Sequence, residues 1–369
     1  AGHVNPALAI GAALAEPGSE TLFVGVKGRA EEQVVPREGI PIRFVRASGF
    51  PGARPSPALA RFLFDLAVGT LQAAGILLRF RPDVIVGTVG FASAPVIFAA
   101  TLLKKLRLAK ARVFVHEQNA VPGKLNRVVG RYAEKVFVTF PETLSLFPGN
   151  GALTGYPVRK RIGHVSVDEA KARLDFAVPE GRTVVFAFGG SQGSRSLNRG
   201  LVDALGALLP HADRLFVVHG TGLFKGAGYD AQADTEARLA ARYTEEERAR
   251  IAGFYVSRSY FHDIASVYAV SGLVVIRGGS GSLNEVARMG IPALVVPKAN
   301  LPGDHQVANA RALERAGGAE VLYEETVLED GHLVETLDGA LLARRILELA
   351  GDPGRLAEMS RRGRHVLGI

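Results

Sequence analysis

Two stretches in the second half of the chain each join a short apolar run to a glycine-rich loop and then to a helical pattern. The first spans 183–198 and contains Gly189-Gly190-Ser191-Gln192-Gly193; the second spans 273–292 and contains Gly278-Gly279-Ser280-Gly281. Such loops expose backbone N–H groups at the positive end of a helix dipole, where anions bind. In the second stretch, Gly290 and Pro292 predict where the helix ends.

A third glycine loop, Ala1-Gly2-His3, precedes a helical pattern from Pro6 to Glu16. Any one of these loops is also what a tight strand-to-helix turn requires, so each alone favours a structural role. Three together favour phosphate binding, and the two loops of the second half are expected to hold a diphosphate.

Short β-branched runs alternate with helical patterns along the chain, which predicts an α/β fold with parallel sheets. The predicted strands are Thr21–Val26, Val84–Gly87, Arg112–His116, Val136–Thr139, Thr183–Phe188, Arg214–His219, Leu273–Arg277 and Ala293–Val296. A length of 369 residues suits two domains. We place the boundary after Gly155-Tyr156-Pro157, giving domains at 1–157 and 158–369, and expect two Rossmann-like domains facing each other across a cleft.

Several kinds of site are excluded by what the sequence lacks. With no cysteine, the chain has no disulfide, thiolate metal site or cysteine nucleophile. Neither loop of the second half has the third glycine of G-x-G-x-x-G, which argues against a nicotinamide dinucleotide, and no G-x-x-x-x-G-K-[ST] occurs. No Asp-x-Asp occurs either, so we expect no metal or other cofactor. Helix dipoles and arginines are expected to neutralise the charge of the phosphates.

The net charge of +8 lies entirely in residues 1–157, and the remainder is neutral. This asymmetry predicts an anionic partner of the first domain: a phosphate-bearing substrate, an acidic membrane surface or nucleic acid. A general preference for arginine, with 34 Arg and 10 Lys, explains it equally well. A recognisable nucleic-acid-reading motif is missing, so no nucleic acid is expected.

The apolar stretches 62–78 and 91–103 fall short of the roughly 20 residues that a spanning helix needs. We therefore expect no membrane crossing. The opening residues have neither a basic nor an apolar run, so no secretory signal is expected.

Six motifs in order resemble one family, the peptidoglycan N-acetylglucosaminyltransferases that act on undecaprenyl-pyrophosphoryl-N-acetylmuramoyl-pentapeptide. They are Gly2-His3-Val4-x-Pro6-Ala7-Leu8-Ala9, His116-Glu117-Gln118-Asn119, Gly155-x-Pro157-Val158-Arg159, Gly189-Gly190-Ser191-Gln192-Gly193, Arg277-x-Gly279 with Glu285, and Asp304-His305-Gln306-x-x-Asn309-Ala310. The resemblance covers nearly the whole chain and implies a GT-B fold with an N-terminal acceptor domain and a C-terminal donor domain. It implies transfer of N-acetylglucosamine from UDP-N-acetylglucosamine to lipid I, forming lipid II with inversion. The family pattern has a strand and Gly-Gly-Thr-Gly before Gly2-His3, so a first strand is apparently missing.

The resemblance, with the chemistry of the residues, assigns a donor site. Ser191, Arg159 and the amides from Ser280 to Leu283 are expected at the diphosphate. The sequence alone favours Glu285 as an acidic residue that complements its own helix dipole, whereas the resemblance implies that it binds the ribose hydroxyls. Phe261 is expected to contact uracil through its backbone, and Gln306 to touch the donor sugar. For these two residues, as for Asn198 and Arg277, a packing or capping role is the alternative. The full donor-binding set is Arg159, Ser191, Asn198, Phe261, Arg277, Ser280, Gly281, Ser282, Leu283, Asn284, Glu285 and Gln306.

On the acceptor side, His3 is the predicted general base, because it ends a glycine loop and titrates near neutrality. Glu117 and Asn119 follow a predicted strand and complete the predicted catalytic set, while a capped turn explains Glu117 equally well. The predicted acceptor-binding residues are Gly2, His3, His116, Asn119 and Asn126.

A lipid-linked acceptor requires the protein to visit a membrane. Residues 59–81 carry Phe62, Leu63, Leu66, Leu71, Ile76, Leu77 and Phe80 beside Arg61, Arg79 and Arg81, with Lys104, Lys105, Arg107 and Lys110 following. Peripheral binding to the anionic inner membrane surface is expected, at the cytoplasmic face of a bacterial membrane and in association with a cell-wall synthesis complex, although core helices have the same apolar spacing. Three alternatives stay open: another GT-B lipid glycosyltransferase, a UDP-N-acetylglucosamine epimerase, and a non-enzymatic nucleotide-sugar binding module.

Overall fold

The computed structural model describes residues 3–88, 90–158, 161–226, 228–299, 304–329 and 331–365. The chain divides into two compact units, unit 1 at 1–159 and unit 2 at 160–369. This division falls within two residues of the predicted boundary. Both units are α/β with parallel sheets, as predicted.

Unit 1 contains a four-stranded parallel sheet and a separate parallel pair of strands among its described residues. The strands are β1 (Phe23–Gly25), β2 (Ile42–Phe44), β3 (Val84–Gly87), β4 (Arg112–Glu117), β5 (Lys135–Val138) and β6 (Gly151–Leu153). The helices are α1 (Val4–Leu14), α2 (Ala30–Arg37), α3 (Pro57–Phe80), α4 (Ser93–Lys105) and α5 (Lys124–Gly130), with a 3₁₀ helix at Pro141–Leu146. The larger sheet has the order β3-β4-β5-β6, and β1 pairs with β2 alone. Within the described part of unit 1, no strand joins β1 to β3.

Helix α3 packs on the unit through one stripe of residues spaced three or four apart. The stripe is Phe62, Asp65, Gly69, Ala73 and Leu77. A Cβ on Gly69 would lie 2.0 Å from the backbone oxygen of Arg46, so glycine is required for the helix to approach that closely. The guanidinium of Arg46 pairs with the buried carboxylate of Asp65.

The same helix has 24 residues, and an 18-residue window within it has a mean hydropathy of 1.4, so by length and composition it could cross a membrane. The expectation that each apolar stretch is too short to span a membrane is therefore wrong for this helix, because the helix extends beyond residues 62–78 at both ends. Its buried stripe, which includes a paired carboxylate, is that of a helix packed on the surface of a domain.

Unit 2 is built on a six-stranded parallel sheet in the order β11-β8-β7-β12-β13-β14. Its described strands are β7 (Thr183–Phe188), β8 (Leu215–Gly220), β9 (Lys225–Gly226), β10 (Tyr229–Asp230), β11 (Tyr255–Arg258), β12 (Leu273–Ile276), β13 (Ala293–Val295), β14 (Ala319–Val321), β15 (Glu325–Glu329) and β16 (His332–Thr336). Its helices are α6 (Val167–Arg173), α7 (Arg195–Leu208), α8 (Ala231–Arg242), α9 (Glu245–Ile251), α10 (Ile264–Val270), α11 (Ser280–Met289), α12 (His305–Arg315), α13 (Gly339–Ala350) and α14 (Pro353–His365), with a 3₁₀ helix at Leu209–His211. Strands β9 and β10, like β15 and β16, form antiparallel pairs outside the main sheet.

Strands β7 and β12 lie side by side in the centre of that sheet, with Phe188 opposite Ile276 at their carboxyl ends. From β7 the chain continues to β8 and β11 on one side of the sheet, and from β12 it continues to β13 and β14 on the other. The strand order therefore reverses between β7 and β12. Ligands of open α/β sheets bind outside the carboxyl ends of the strands at this reversal. The topology therefore brings the two predicted glycine loops of the second half to one edge of one sheet.

Candidate active site

The first glycine loop, residues 189–194, is a tight turn pressed against the next loop of the sheet. Gly190 and Gly193 have φ values of +88° and +78°, and the Gly193 amide donates to the Gly190 oxygen at 3.0 Å. A Cβ on Gly193 would lie 1.9 Å from the Thr221 backbone oxygen, whereas one on Gly190 would meet nothing within 4 Å. Glycine at position 193 thus allows the loop to pack closely against Thr221. Among the described residues, none lies close to the Cβ position of Gly190, and the neighbouring Ser191 is exposed.

The second glycine loop opens α11, whose N-cap is Gly279 and whose C-cap is Gly290 at φ +67°, as predicted. The amides of Ser280, Gly281 and Ser282 belong to the first turn of the helix, where no backbone oxygen four residues earlier lies within the helix to accept from them. The Leu283 amide already donates to the Gly279 oxygen at 3.1 Å. Helix α11 therefore uses the N–H group of Leu283, and the predicted donor contact of Leu283 stays a prediction.

Asn284 and Glu285, both on α11, are buried. The Asn284 amide donates from Nδ2 to the Ser280 oxygen at 2.7 Å, which reinforces the first turn of the helix. The predicted role of Asn284 in donor binding stays a prediction. Glu285 Oε2 accepts from the Tyr268 hydroxyl at 3.2 Å, so its carboxylate is held in place from α10. Its predicted ribose contact stays a prediction.

Arg277 links the two glycine loops. Its Nε donates to the Ser194 hydroxyl at 2.9 Å and its terminal nitrogens donate to the Ser196 hydroxyl at 2.7 Å and to the Val296 oxygen at 3.1 Å. The same guanidinium pairs with Glu324 at 2.7 Å, and both side chains are buried. Arg277 therefore holds the two loops together, and its predicted donor contact stays a prediction.

Glu324 is a residue of this site that the sequence did not reveal. It follows β14, its Oε1 accepts from the Ser196 hydroxyl as well as from Arg277, and no motif marks it. Its Oε2 is buried without a hydrogen-bond partner among the described residues. The buried carboxylate provides the negative charge that keeps Arg277 between the loops.

Asn198 lies in a buried polar network behind the first loop. Its Nδ2 donates to the Thr221 oxygen at 2.8 Å and to the Tyr229 hydroxyl at 3.1 Å, so its Oδ1 accepts from His219 Nε2 at 3.1 Å. His219 Nδ1 then accepts from the Tyr255 hydroxyl at 2.8 Å. These partners occupy the amide of Asn198, which fixes the segment against which Gly193 packs. The predicted donor contact of Asn198 stays a prediction.

Complete burial lowers the pKa of His219 to about 3. Burial also raises the pKa of Tyr255. Both side chains are thus neutral, which suits a network of neutral hydrogen bonds in the interior. The sequence offered no indication of either residue.

Phe261 and Gln306 flank the loops. The Phe261 ring packs edge-on against Phe186 with centroids 5.5 Å apart, which leaves its backbone as the part suited to the predicted uracil contact. Gln306 Oε1 accepts from the Lys298 amide at 3.0 Å. A Cβ on Gly278 would lie 2.3 Å from the Gln306 backbone oxygen, and Asn309 Nδ2 donates to the Gly278 oxygen at 3.2 Å. Asn309, present in a motif but not assigned a role, therefore positions the second loop.

In unit 1, three polar side chains meet beyond the carboxyl ends of β3 and β4. His3 Nδ1 lies 3.2 Å from Gln118 Oε1, Gln118 Nε2 donates to the Thr88 oxygen at 3.1 Å, and the Thr88 hydroxyl donates to the His3 oxygen at 3.0 Å. His3 is exposed and is the N-cap of α1. The predicted base thus lies at a sheet edge, where its ring contacts Gln118.

Glu117 is fully buried and holds two predicted acceptor-site residues in place. Its Oε1 accepts from the Asn119 amide at 3.0 Å and from Asn119 Nδ2 at 3.3 Å, and its Oε2 accepts from Asn126 Nδ2 at 2.9 Å. Burial raises the pKa of Glu117, and these hydrogen bonds offset only part of the rise. Glu117 thus positions Asn119 and Asn126, and its predicted catalytic role stays a prediction.

His116 is also buried, and its Nε2 donates to the Gly155 oxygen at 2.9 Å. Burial lowers its pKa, so the ring is neutral. The side chain is buried, and its predicted acceptor contact stays a prediction. Two other predicted residues, Gly2 and Arg159, lie outside the described residues. Within the described ranges, no three His, Asp or Glu side chains are grouped as metal ligands.

Comparison with known proteins connects both units to one family. Residues 1–138 match the glycosyltransferase family 28 N-terminal domain, and residues 184–362 match the corresponding C-terminal domain. The crystal structure of Acinetobacter baumannii MurG is similar in fold, with a TM-score of 0.68 at 24% identity over 98% of this chain and 91% of that chain. This likeness confirms the predicted GT-B fold class.

Two relatives carry the name UDP-N-acetylglucosamine–N-acetylmuramyl-(pentapeptide) pyrophosphoryl-undecaprenol N-acetylglucosamine transferase. The one from Desulforudis audaxviator is 34% identical over 97% of this chain and 89% of its own length. The one from Anaeromyxobacter sp. is 35% identical over 98% of this chain and 85% of its own length. At this identity along nearly its whole length, the chain belongs to the family of N-acetylglucosaminyltransferases that bears this name.

Proposed function

We propose that the chain transfers N-acetylglucosamine from UDP-N-acetylglucosamine to the 4-hydroxyl of the muramoyl residue of undecaprenyl-linked lipid I, forming lipid II. The observation that carries this proposal is the pair of glycine loops at the carboxyl ends of β7 and β12, joined through Arg277 and backed by the buried carboxylate of Glu285. The names of the relatives supply the donor and the acceptor.

The donor site acts on the leaving group. As the bond between the anomeric carbon and the diphosphate breaks, negative charge grows on the phosphate oxygens, and preorganised donors stabilise it. The amides of Ser280, Gly281 and Ser282 are suited to this task, with Ser191 on the neighbouring loop. One helix N-terminus contributes about 0.3–1 kcal/mol when exposed and up to about 2 kcal/mol when partly buried, so several donors must act together.

The acceptor side supplies the nucleophile. The muramoyl O4 attacks the anomeric carbon from the face opposite the diphosphate, which inverts the configuration there. The O4 proton passes to His3 Nε2 and UDP leaves with the electron pair of the broken bond. General base catalysis of this kind contributes roughly 10²–10⁴-fold. Asn119 and Asn126, held by Glu117, are the proposed hydrogen-bonding partners of the acceptor.

Diphosphate stabilisation without a metal ion is part of the proposal. It is supported by the donor chemistry of the two loops, in which amides and hydroxyls replace the charge of a cation. Turnover should persist in excess chelator, and a loss of activity that Mg²⁺ restores would contradict this part.

We further propose that unit 1 binds peripherally to the anionic cytoplasmic face of a bacterial membrane, where the lipid-linked acceptor is anchored. Support comes from Phe64, Leu71 and Leu78, which repeat every seven residues on α3 and are exposed. Exposed Leu102, Leu106 and Leu108 follow near the end of α4, interleaved with Lys104, Lys105 and Arg107. Apolar side chains next to cations are suited to a headgroup layer. Phe62 and Leu77, predicted for this surface, are instead buried. Association with a cell-wall synthesis complex rests on the family resemblance alone.

The function is tested by measuring UDP release from UDP-N-acetylglucosamine with and without lipid I. Release that depends on lipid I, with lipid II as product, is the expected result. Equal or faster transfer to a different lipid acceptor would favour another GT-B glycosyltransferase. Conversion of the sugar nucleotide without any acceptor would favour an epimerase, and binding of UDP-N-acetylglucosamine without turnover would favour a binding module.

A further inference from the structure

Gln118 determines which nitrogen of His3 carries a proton, and we propose that it is a positioning residue for the base of the transfer reaction. This inference rests on the proposed function, in which His3 receives the proton of the acceptor hydroxyl. Gln118 follows β4 and is 2% exposed, whereas His3 is exposed at the start of α1. A rigid, buried amide thus contacts one edge of an exposed imidazole.

The orientation of the Gln118 amide follows from its other partner. The Thr88 backbone oxygen can only accept a hydrogen bond, so the Gln118 atom 3.1 Å away is the NH₂ group. The atom 3.2 Å from His3 Nδ1 is therefore the amide oxygen, which also can only accept. Nδ1 must donate, and in the neutral imidazole the basic lone pair is then on Nε2.

Thr88 completes a closed set of contacts among the three residues. Its hydroxyl donates to the His3 backbone oxygen at 3.0 Å, while its own backbone oxygen holds Gln118. The backbone and the ring of His3 are thus fixed from β3 and β4 together. A base held in this way loses little entropy when the acceptor arrives.

Among the described residues, the ionisable side chains on the neighbouring elements have partners of their own. Helix α1 contains none between Val4 and Leu14. From β4, the Glu117 carboxylate binds Asn119 and Asn126, and His116 binds the Gly155 oxygen. From the segment after β3, Phe91 lies under the Arg29 guanidinium at 4.7 Å. An amide, unlike a carboxylate, orients the imidazole without placing a charge beside it.

Three variants test the proposal through the pH dependence of lipid II formation. Gln118→Glu places a carboxylate at Nδ1 and should move the acidic limb of the kcat profile upward by about one pH unit or more. Gln118→Leu removes the acceptor and should lower kcat by about tenfold or more, with the KM for UDP-N-acetylglucosamine within about twofold of wild type. Gln33→Glu adds the same charge at an exposed position of α2 and should leave the profile unchanged.

Nitrogen chemical shifts of the His3 imidazole in the wild-type protein give a readout that does not depend on activity. The Nδ1–H tautomer is expected, and Gln118→Leu should shift the population toward Nε2–H. A wild-type Nε2–H tautomer would overturn the proposal even if Gln118→Leu failed to fold. An acidic limb unmoved by Gln118→Glu would also overturn it. Failure of the wild type to form lipid II would contradict the proposed function, while the tautomer would still report on Gln118.

Discussion

Arg277 Nε donates to the Ser194 hydroxyl at 2.9 Å, and this contact joins the loop after β12 to the N-cap of α7. Ser194 Oγ also accepts from the Leu197 amide, so one hydroxyl both caps a helix and holds the guanidinium. The two loops proposed to bind a diphosphate therefore share one rigid connection. Movement of either loop would break hydrogen bonds of the other.

Loss of the Glu324 carboxylate should damage this connection. Glu324→Ala leaves the buried Arg277 charge without its partner and is expected to lower the free energy of unfolding by about 3 kcal/mol. The KM for UDP-N-acetylglucosamine should rise as well, because the loops lose their common anchor. Urea unfolding and steady-state kinetics measure both effects. Glu325→Ala, at the exposed neighbouring residue, is the matched control and should leave both quantities close to wild type.

The amide of Ser280 can be removed without removing the helix. Gly279 has φ −68° and ψ 130°, a conformation that a following proline accepts, and Ser280 is the first residue of α11. Ser280→Pro should weaken UDP binding by about tenfold or more, since a hydrogen bond to a charged group is worth about 1.5–3 kcal/mol. Ser280→Ala keeps the amide and should bind UDP as the wild type does. Calorimetric titration with UDP distinguishes them, and equal affinity of Ser280→Pro and Ser280→Ala would show that this amide does not hold the diphosphate.

Much of unit 2 could be predicted because its determinants are local. Strand β12, the glycine loop, α11 and the stop at Gly290 lie within twenty consecutive residues of the chain, and each leaves a recognisable pattern. Glu324 could not be predicted in this way, because it is separated from Arg277 by 47 positions and belongs to no motif. Asn198 shows a second limit: a polar residue in a motif has the same pattern whether it contacts a ligand or, as here, the interior.

The exposed face of α3 was predictable only in part. Phe62 and Leu63 are adjacent and equally apolar, yet the first is buried and the second is exposed. When a helix is apolar on most sides, its periodicity does not identify the packed face. The close approach of Gly69 to the Arg46 backbone oxygen determines which face of α3 is packed. This contact depends on the tertiary structure and leaves no local pattern in the sequence.

His219 should make the protein sensitive to acid. Its pKa is lowered by burial to about 3 in the folded state, against an ordinary value of 6.5. The contribution of neutral His219 to the free energy of unfolding is therefore complete above pH 6.5. It is lost as the pH falls from 6.5 toward 3, at about 1.4 kcal/mol per pH unit, because the unfolded state takes up a proton that the folded state does not. Between pH 7 and pH 5, urea unfolding should show wild type losing about 2 kcal/mol more stability than His219→Gln. The exposed His332→Gln variant should retain the wild-type dependence, and a parallel loss in the His219 variant would contradict the assignment.

Leu71 gives the sharpest test of the proposed membrane surface, because unit 2 offers a matched control. Leu71 is 72% exposed and Leu328 is 73% exposed, so glutamate at either position should cost the fold little. Leu71→Glu should reduce binding to vesicles containing anionic lipid by about tenfold. It removes one leucine that would be buried in the membrane, and its carboxylate is repelled by the anionic lipid. Leu328→Glu should bind as wild type does. Added salt should weaken wild-type binding, and equal binding to neutral and anionic vesicles, or equal loss in the two variants, would contradict a membrane surface on α3.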